Sequence, residues 1–328
     1  MIKMTKKHFA TIAVILTAIF FVILWHTMPI VVAGHRPGNI PMLIFYNGLI
    51  GATLAMLVVF CLIIVVKREF VKGQLDTFVR FRHLLVLMVK RDFVTRYRRS
   101  VLGVLWSVLS PLLTMIVLSM VFSTIFQANI PNFPVYVFSG QLIHNFFSES
   151  TTNAMTSIIG GAGTIKKVYV PKYIFPLSKV ISSITNLAFA FVAFMLVFVV
   201  TRHPFHWTIF LIPIPIIYVI IFSVGIGMLL SAMAVFFRDL THLYGIATLL
   251  LFFLTPIMYH VDILPARIYH LIHLNPLFHY VGYFRNLALY GIIPSLWDNI
   301  ICLGFALIAC GIGLYAKMSQ QDKYILYL

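Results

Sequence analysis

Several apolar stretches in this chain are longer than the helices of ordinary water-soluble domains. A helix that crosses a bilayer core about 30 Å thick needs about 20 predominantly apolar residues. Because the bilayer offers no hydrogen-bonding partners to the backbone, such stretches form helices. We therefore predict an all-α, multi-pass membrane protein with eight transmembrane helices, at 9–32, 42–66, 101–127, 134–160, 174–200, 207–236, 243–259 and 297–316.

The composition excludes two other classes of protein. Of the 328 residues, 61% are hydrophobic and only 10% are charged, whereas a soluble globular domain has about 25% charged residues. The net charge is +16, but a nucleic-acid-binding protein would carry that charge on a polar surface and not between long apolar runs. We expect no nucleic-acid partner.

The positions of Lys and Arg indicate the orientation of the chain. If the N-terminus is cytoplasmic, the cytoplasmic segments hold 20 of the 24 basic residues. The outer segments hold the other four, which are Arg36, Arg202, Arg267 and Arg285. Cytoplasmic loops are enriched in Lys and Arg, and an even number of spans places both termini on one side. Both termini are therefore predicted to be cytoplasmic.

A charged insert at 67–100 separates the first two spans from the other six. It holds ten Lys and Arg residues, and polar and apolar side chains alternate in it at rough helical spacing. This pattern predicts an amphipathic helix at the cytoplasmic membrane interface. Its basic groups either anchor the next span or bind an anionic, lipid-linked substrate, because guanidinium groups pair well with phosphate oxygens. The spacing leaves both interpretations open, and the candidate head-group ligands are Arg91, Arg96, Arg98 and Arg99.

Five short motifs resemble the ABC-2 type permeases that export polysaccharides or teichoic acids. The first combines 89–93 and 96–103 with Trp106 and Pro111, and resembles the segment by which those permeases enter the membrane. The others follow in the family's order and together extend the resemblance over about 80–320. They are Lys166–Pro171 with Phe175 and Pro176, Phe237–Leu240, Thr255–Tyr259, and a group at 264–285 that includes Leu274–Leu277 and Tyr283–Arg285.

The resemblance implies a division of the chain. Residues 101–328 would form the six-helix ABC-2 domain, with a coupling helix at 164–175 and an outward re-entrant segment at 260–296. Residues 1–66 would be a two-helix extension that the family does not commonly have. A plain basic loop is the alternative to the coupling helix. The residues expected to contact an ATPase are Lys166, Lys167, Tyr169, Pro171 and Lys172.

The chain lacks a phosphate-binding loop of its own. The glycine-rich run at 160–166 has no Gly-Lys-Ser/Thr at the required spacing. The resemblance therefore implies two copies of this chain with two separate ATP-binding cassette subunits, which would hold ATP and Mg, and no cofactor on the chain itself. It also implies an undecaprenyl-diphosphate-type lipid-linked glycan as the substrate and the bacterial plasma membrane as the location.

The acidic residues do not suggest an enzyme. Chemistry on sugars or acyl groups usually needs paired carboxylates or a nucleophile beside a base, and the eight acids are scattered. Only Glu149 lies clearly within a span. An intramembrane carboxylate indicates a functional site by default, but its Ser and Thr neighbours fit a structural contact between helices equally well. We expect no catalytic residue.

Histidines and aromatic residues give weaker signals. His270 and His273 are spaced like metal ligands, but interfacial histidines are commoner and no metal site is expected. Aromatic faces stack on sugar rings, although core packing is the commoner role for any one of them. The candidates for lining a substrate path are Trp106, Phe146, Phe147, Glu149, Tyr244 and Tyr259.

These observations favour the membrane subunit of an ATP-driven exporter. The expected cargo is a lipid-linked polysaccharide or a teichoic-acid-type polymer. Two alternatives stay open: an ABC-2 permease for a small drug or lipid, and a membrane glycosyltransferase outside the ABC class.

Overall fold

The computed structural model describes residue 51 and residues 68–98, 102–126, 130–167, 170–263 and 272–320. Nearly all of the predicted extension at 1–66 lies outside these residues. In the described ranges the chain forms helices and no strand: α1 (Arg68–Tyr97), α2 (Leu105–Phe126), α3 (Phe133–Gly160), α4 (Ala162–Ile165), α5 (Ile174–Val200), α6 (Pro213–Ala234), α7 (Leu240–Leu254), α8 (Pro276–Ala288) and α9 (Leu296–Gln320). Short 3₁₀ turns lie at Trp207–Leu211 and Val261–Ile263.

Within the described residues, four helical segments are long and apolar enough to cross a membrane. Each overlaps a span predicted from the sequence, namely the spans at 101–127, 174–200, 207–236 and 297–316. The segments are Leu105–Ser123, Ile174–Val200, Trp207–Ala234 and Leu296–Lys317. The charged insert predicted at 67–100 is also helical, as α1.

The central helix, α3, is more polar than the four apolar segments. It has 28 residues and is about 42 Å long at 1.5 Å per residue. Gln141 and His144 are buried along it and Glu149 lies near its middle. Because α2, α5, α6, α7 and α8 all pack against α3, its polar groups contact protein.

Helix α7 is shorter than predicted. The sequence suggested a span at 243–259, but α7 has 15 residues and ends at Leu254, so it is about 22 Å long. The backbone is extended at Thr255, with φ −88° and ψ 127°, because the ring of Pro256 disfavours a helical conformation at the preceding residue. The predicted end of this span is therefore wrong by about one turn.

Helix α8 occupies part of the segment predicted to be re-entrant, 260–296. It has 13 residues and begins after Asn275, whose side-chain oxygen accepts a hydrogen bond from the Leu277 backbone N–H. The irregular chain after α8 includes Gly291, which has φ +65°, a conformation that glycine adopts without strain. Residues 264–271 lie outside the described ranges, and the re-entrant path stays a prediction.

Helices α6 and α9 make the tightest packing in the bundle. A Cβ atom added to Gly313 would lie 2.1 Å from the carbonyl oxygen of Gly225. One added to Gly225 would lie 2.3 Å from the carbonyl carbon of Ala309. Small residues let membrane helices approach to backbone contact in this way, so α6 and α9 form a fixed pair.

Candidate functional site

Helix α1 lies along one end of the bundle with its two faces in different surroundings. Leu85 and Met88 are buried in a cluster with Ile158 of α3 and Ile174 of α5. Val86 and Leu87 are about 60% exposed on the outside. Apolar residues exposed among basic ones are typical of a helix that lies in a membrane interface. Helix α1 is thus amphipathic, and its position at the cytoplasmic membrane interface stays a prediction.

An ion pair joins α1 to the first turns of α5. Lys179 Nζ lies 2.7 Å from Asp92 Oδ2, and the Asp92 side chain is only 15% exposed. Arg91 lies 3.5 Å from the other oxygen of Asp92. The pair fixes α1 to α5, whose first residues are the last of the predicted coupling segment.

One turn further along α1, a second polar contact reaches the middle of α3. Arg96 Nη1 lies 2.8 Å from Glu149 Oε1, and the Asn186 side-chain amide donates to the same carboxylate. The Tyr97 hydroxyl donates to Asn186 Oδ1 at 2.9 Å and contacts the Ser107 hydroxyl. Four helices, α1, α2, α3 and α5, thus meet in one hydrogen-bonded network.

This network borders a cavity of about 220 Å³ between α2, α3 and α5. Apolar side chains of α3 line it, among them Phe138, Leu142 and Phe146. Its polar lining comes from α1, α2, α3 and α5, and consists of Arg96, Ser107, Ser110, Thr114, Asn145, Glu149 and Asn186. We call this space the inner cavity.

A second cavity, of about 470 Å³, lies between α1 and the start of the coupling segment. Arg91 and Lys179 line it together with Thr156, Ser157 and Phe175. The Arg91 side chain is 63% exposed, so it is accessible to an anion. We call this space the entry cavity.

The predicted head-group arginines therefore do not form one patch. Arg98 directly follows α1 and is seven positions after Arg91, so at 100° per residue the two lie on nearly the same side, whereas Arg96 lies about 140° from Arg91 around the helix. Arg91 borders the entry cavity and Arg98 is exposed, but Arg96 is paired with Glu149 at the inner cavity. Arg99 lies outside the described residues.

The predicted coupling helix at 164–175 is not one continuous helix, which corrects the sequence prediction. Helix α4 ends at Ile165, a turn follows at 166–167, and α5 begins at Ile174. The physical reason is Pro171, which has no N–H to donate and disfavours a helical conformation at the residue before it.

The coupling segment is nevertheless anchored and accessible. Val170 and Ile174 are buried, and Lys317 of α9 lies 4.0 Å from the centre of the Tyr173 ring. Lys166 and Lys167 are exposed, and Pro171 and Lys172 are half-buried. Tyr169 lies outside the described residues. The two lysines are thus presented on a loop whose following residues are held in place.

The six candidate path residues occupy different surroundings. Phe146 and Glu149 line the inner cavity. Phe147 stacks on Phe222, with ring centres 5.3 Å apart, and the Tyr244 hydroxyl lies 2.6 Å from the Thr151 hydroxyl in the core. Trp106 is 49% exposed on α2, and the Tyr259 hydroxyl donates to the Phe253 carbonyl at 2.8 Å.

A group that the sequence analysis did not single out lies at the other end of α3. Arg285 of α8 is 5% exposed, and its guanidinium lies 3.5 Å from the centre of the Tyr136 ring. It donates hydrogen bonds to the Ser139 hydroxyl and to the carbonyls of Tyr136, Pro256 and Ile257, at 2.7–3.2 Å. Arg285 therefore fixes the irregular chain after α7 to the start of α3. Its place in a matched motif was the sequence signal for this role.

His270 and His273 were spaced like metal ligands in the sequence. Among the described residues, no three His, Cys, Asp or Glu side chains cluster as a metal site would require. His279 Nε2 lies 2.9 Å from the backbone carbonyl oxygen of His273. His270 lies outside the described residues.

Comparison with known proteins gives a consistent family. The model of the family described as "ABC-2 type transporter" matches residues 83–289. An O-antigen export system permease protein RfbA from Klebsiella pneumoniae is 31% identical over 245 residues, which cover 74% of this chain and 95% of that protein.

Two further relatives have related names. A protein of the same name from Myxococcus xanthus is 32% identical over 180 residues, or 55% of this chain and 69% of that protein. The polysialic acid transport protein KpsM from Escherichia coli is 26% identical over 242 residues, or 72% of this chain and 92% of that protein.

Proposed function

Because the chain belongs to the ABC-2 type transporter family, we propose that it is the membrane subunit of an ATP-driven exporter. The proposed cargo is a lipid-linked polysaccharide or a teichoic-acid-type polymer, moved outward across the bacterial plasma membrane. The observation that carries this proposal is the similarity to an O-antigen export permease over 95% of that protein's length. The resemblance to a polysialic acid transport protein supports a polysaccharide as cargo.

The substrate's diphosphate is proposed to bind at α1 on the cytoplasmic side. Arg91 offers an exposed guanidinium beside the entry cavity, and Arg98, directly after α1, lies on nearly the same side. Guanidinium groups bind phosphate oxygens with paired hydrogen bonds. The diphosphate would first contact Arg91, Arg98 and Arg99. It would reach Arg96 later, because Arg96 forms an ion pair with Glu149 in the structure.

A separate ATPase subunit is proposed to hold ATP and Mg and to press on the coupling segment. Lys166 and Lys167 are exposed on this segment. The ion pair between Lys179 and Asp92 links α5 to α1. A push on the segment would move the start of α5, and α1 with it. The chain is then a transport subunit that contributes no hydrolytic chemistry.

Two copies of the chain are proposed to form the path for the polymer. Helix α2 is the least buried of the four apolar segments, and Leu113, Val117 and Met120 are more than half exposed on it. A second copy that covers this face would bring two inner cavities together. Trp106, Phe146 and Tyr259 are the aromatic groups proposed to contact the passing glycan.

Deletion of the gene tests the proposed function. Cells without the protein should accumulate lipid-linked polymer in the cytoplasm and lose it from the surface, and the wild-type gene should restore export. A Lys166→Glu/Lys167→Glu variant should reach the membrane in normal amount and restore no export, because it reverses the charge presented to the ATPase. Normal surface polymer in the deletion strain would contradict the proposal.

Purification of the full-length chain separates the exporter from the two alternatives. An exporter should bring down an ATP-hydrolysing subunit whose activity responds to lipid-linked glycan. A response to small drugs or simple lipids alone would indicate the other kind of ABC-2 permease. Sugar transfer without an associated ATPase would indicate a glycosyltransferase.

A further inference from the structure

The contact between Arg96 and Glu149 is built in a way that permits exchange. One guanidinium nitrogen of Arg96 meets one oxygen of Glu149, so the contact uses only part of the guanidinium's hydrogen-bonding capacity. The Arg96 and Glu149 side chains are 45% and 33% exposed. Ion pairs of this exposure contribute little, about 0–1 kcal/mol. An anion that reaches Arg96 therefore has a weak competitor to displace.

Phosphate is the anion best suited to displace Glu149. The diphosphate of a lipid-linked glycan carries two negative charges, against one for a carboxylate, and each phosphate accepts two parallel hydrogen bonds from one guanidinium group. Arg96 also follows Arg91 along α1 toward the bundle centre, so a head group bound first at the entry cavity has a second arginine ahead of it.

The inner cavity behind Arg96 has the chemistry of a sugar site. Ser110 and Thr114 of α2 and Asn145 of α3 offer hydroxyl and amide groups, and Phe138 and Phe146 of α3 offer aromatic rings. Polar groups that set orientation on an apolar background are typical of small-molecule sites. At about 220 Å³ the space is below the range of about 300–1,000 Å³ for drug-sized ligands, so it suits a single ring and not a polymer.

We propose that the inner cavity binds the first sugar of a phosphate-linked glycan, whose phosphate replaces Glu149 on Arg96. The inference rests on the proposed function, and it adds a role for Glu149. In the absence of substrate Glu149 is paired with Arg96, and this competition weakens the binding of every phosphate head group. A head group without a sugar gains nothing from the cavity in return, whereas one with a sugar does. The cavity, with Glu149 at its mouth, therefore selects sugar-bearing lipids over ordinary anionic lipids.

The test measures equilibrium binding of two probes to the full-length chain in nanodiscs of neutral phospholipid. One probe is a polyprenyl diphosphate that carries a single N-acetylhexosamine, and the other is the methyl ester of the same polyprenyl diphosphate, which has the same charge and no sugar. The variants are Glu149→Gln, Asn145→Leu and Arg96→Gln, with thermal unfolding measured for each. Asp239→Asn is the matched control, because it makes the same acid-to-amide change at an exposed site away from the cavity.

The wild type should bind the sugar-bearing probe more tightly. Glu149→Gln should strengthen binding of both probes by about two- to fivefold, and this gain should disappear when Arg96→Gln is combined with it. Asn145→Leu should weaken only the sugar-bearing probe, and Asp239→Asn should change neither.

Four results would overturn the inference. Weaker binding of both probes by Glu149→Gln, together with a lower unfolding temperature, would show that the ion pair is only structural. Equal weakening of both probes by Asn145→Leu would exclude the sugar from the cavity. If the wild type binds neither probe, both this inference and the proposed lipid-linked substrate are wrong. If it binds both probes tightly and Glu149→Gln has no effect, only this inference is wrong and the proposed function stands.

Discussion

Two arginines, one at the start of α3 and one near its middle, show how differently the same side chain is used. Arg285 is buried, and four oxygen acceptors and the Tyr136 ring surround its guanidinium group. Arg96 is half-exposed, makes a single contact with Glu149, and borders a cavity. If the Arg285 guanidinium moved away, its buried acceptors would be left without hydrogen bonds. The Arg96 guanidinium, held by a single carboxylate, can exchange that partner for another anion. We therefore regard the Arg285 end as fixed and the α1 end as the part that moves.

Replacing Arg285 should have the largest effect on stability. Arg285→Met removes four donated hydrogen bonds at once and leaves buried carbonyl groups unpaired, which costs about 3 kcal/mol or more. The unfolding temperature of the full-length chain in detergent should fall by at least about 5 °C. Arg285→Lys should fall between the wild type and Arg285→Met, because an ammonium group lacks the planar fork. An unfolding temperature unchanged in Arg285→Met would remove the contrast between the two ends.

Breaking the ion pair between α1 and α5 should have a smaller effect. Asp92→Asn removes the charge that Lys179 contacts at 2.7 Å and should cost about 1 kcal/mol, the upper end for partly exposed pairs. Proteolysis within α1 should become faster while the core helices stay protected. The exposed Asp76 on α1 is the matched control, and Asp76→Asn should leave proteolysis unchanged. Equal protection of α1 in both variants would show that apolar packing alone holds the helix.

Removing the Tyr97 hydroxyl should have an effect of about 0.5–1 kcal/mol. Tyr97→Phe keeps the ring contact with Phe93 and deletes the hydrogen bond to Asn186. Thermal unfolding should show a shift of a few degrees at most. A shift as large as that of Arg285→Met would mean that the network at the inner cavity is as rigid as the other end.

The smallest effect is expected at Arg98. This residue is exposed directly after α1, so Arg98→Gln should change the free energy of unfolding by less than about 0.5 kcal/mol. The Arg98→Gln chain should nevertheless bind a polyprenyl diphosphate more weakly than the wild type. The difference should be larger at low salt, because salt screens interactions between exposed charges. Lower stability with unchanged binding would assign Arg98 to the fold and not to the substrate.

The helices of the fold were largely predictable, because hydropathy reports burial in a bilayer directly. Four predicted spans overlap apolar helices in the structure. The end of α7 was predictable too, since Pro256 follows Thr255 in the sequence, but the continuous apolar run hid the break. The interruption of the coupling segment at Pro171 has the same explanation.

The site was less predictable, for two different reasons. The separation of Arg91 from Arg96 follows from about 100° of rotation per helical residue, and it was missed because the arginines were read as a cluster in sequence. The contacts of Arg96 with Glu149 and of Tyr97 with Asn186 join residues 53 and 89 positions apart. No local pattern predicts such pairs, because they depend on how four helices pack. The same holds for the acceptors around Arg285.

The most direct test of the account is ATP hydrolysis by the chain together with its co-purified ATPase in proteoliposomes. We predict that a lipid-linked glycan stimulates hydrolysis several-fold over the same lipid without a glycan. The Lys166→Glu/Lys167→Glu variant should abolish this stimulation if it still assembles in the membrane. Hydrolysis that is unaffected by lipid-linked glycans, in a complex that responds to small drugs or simple lipids, would contradict the account.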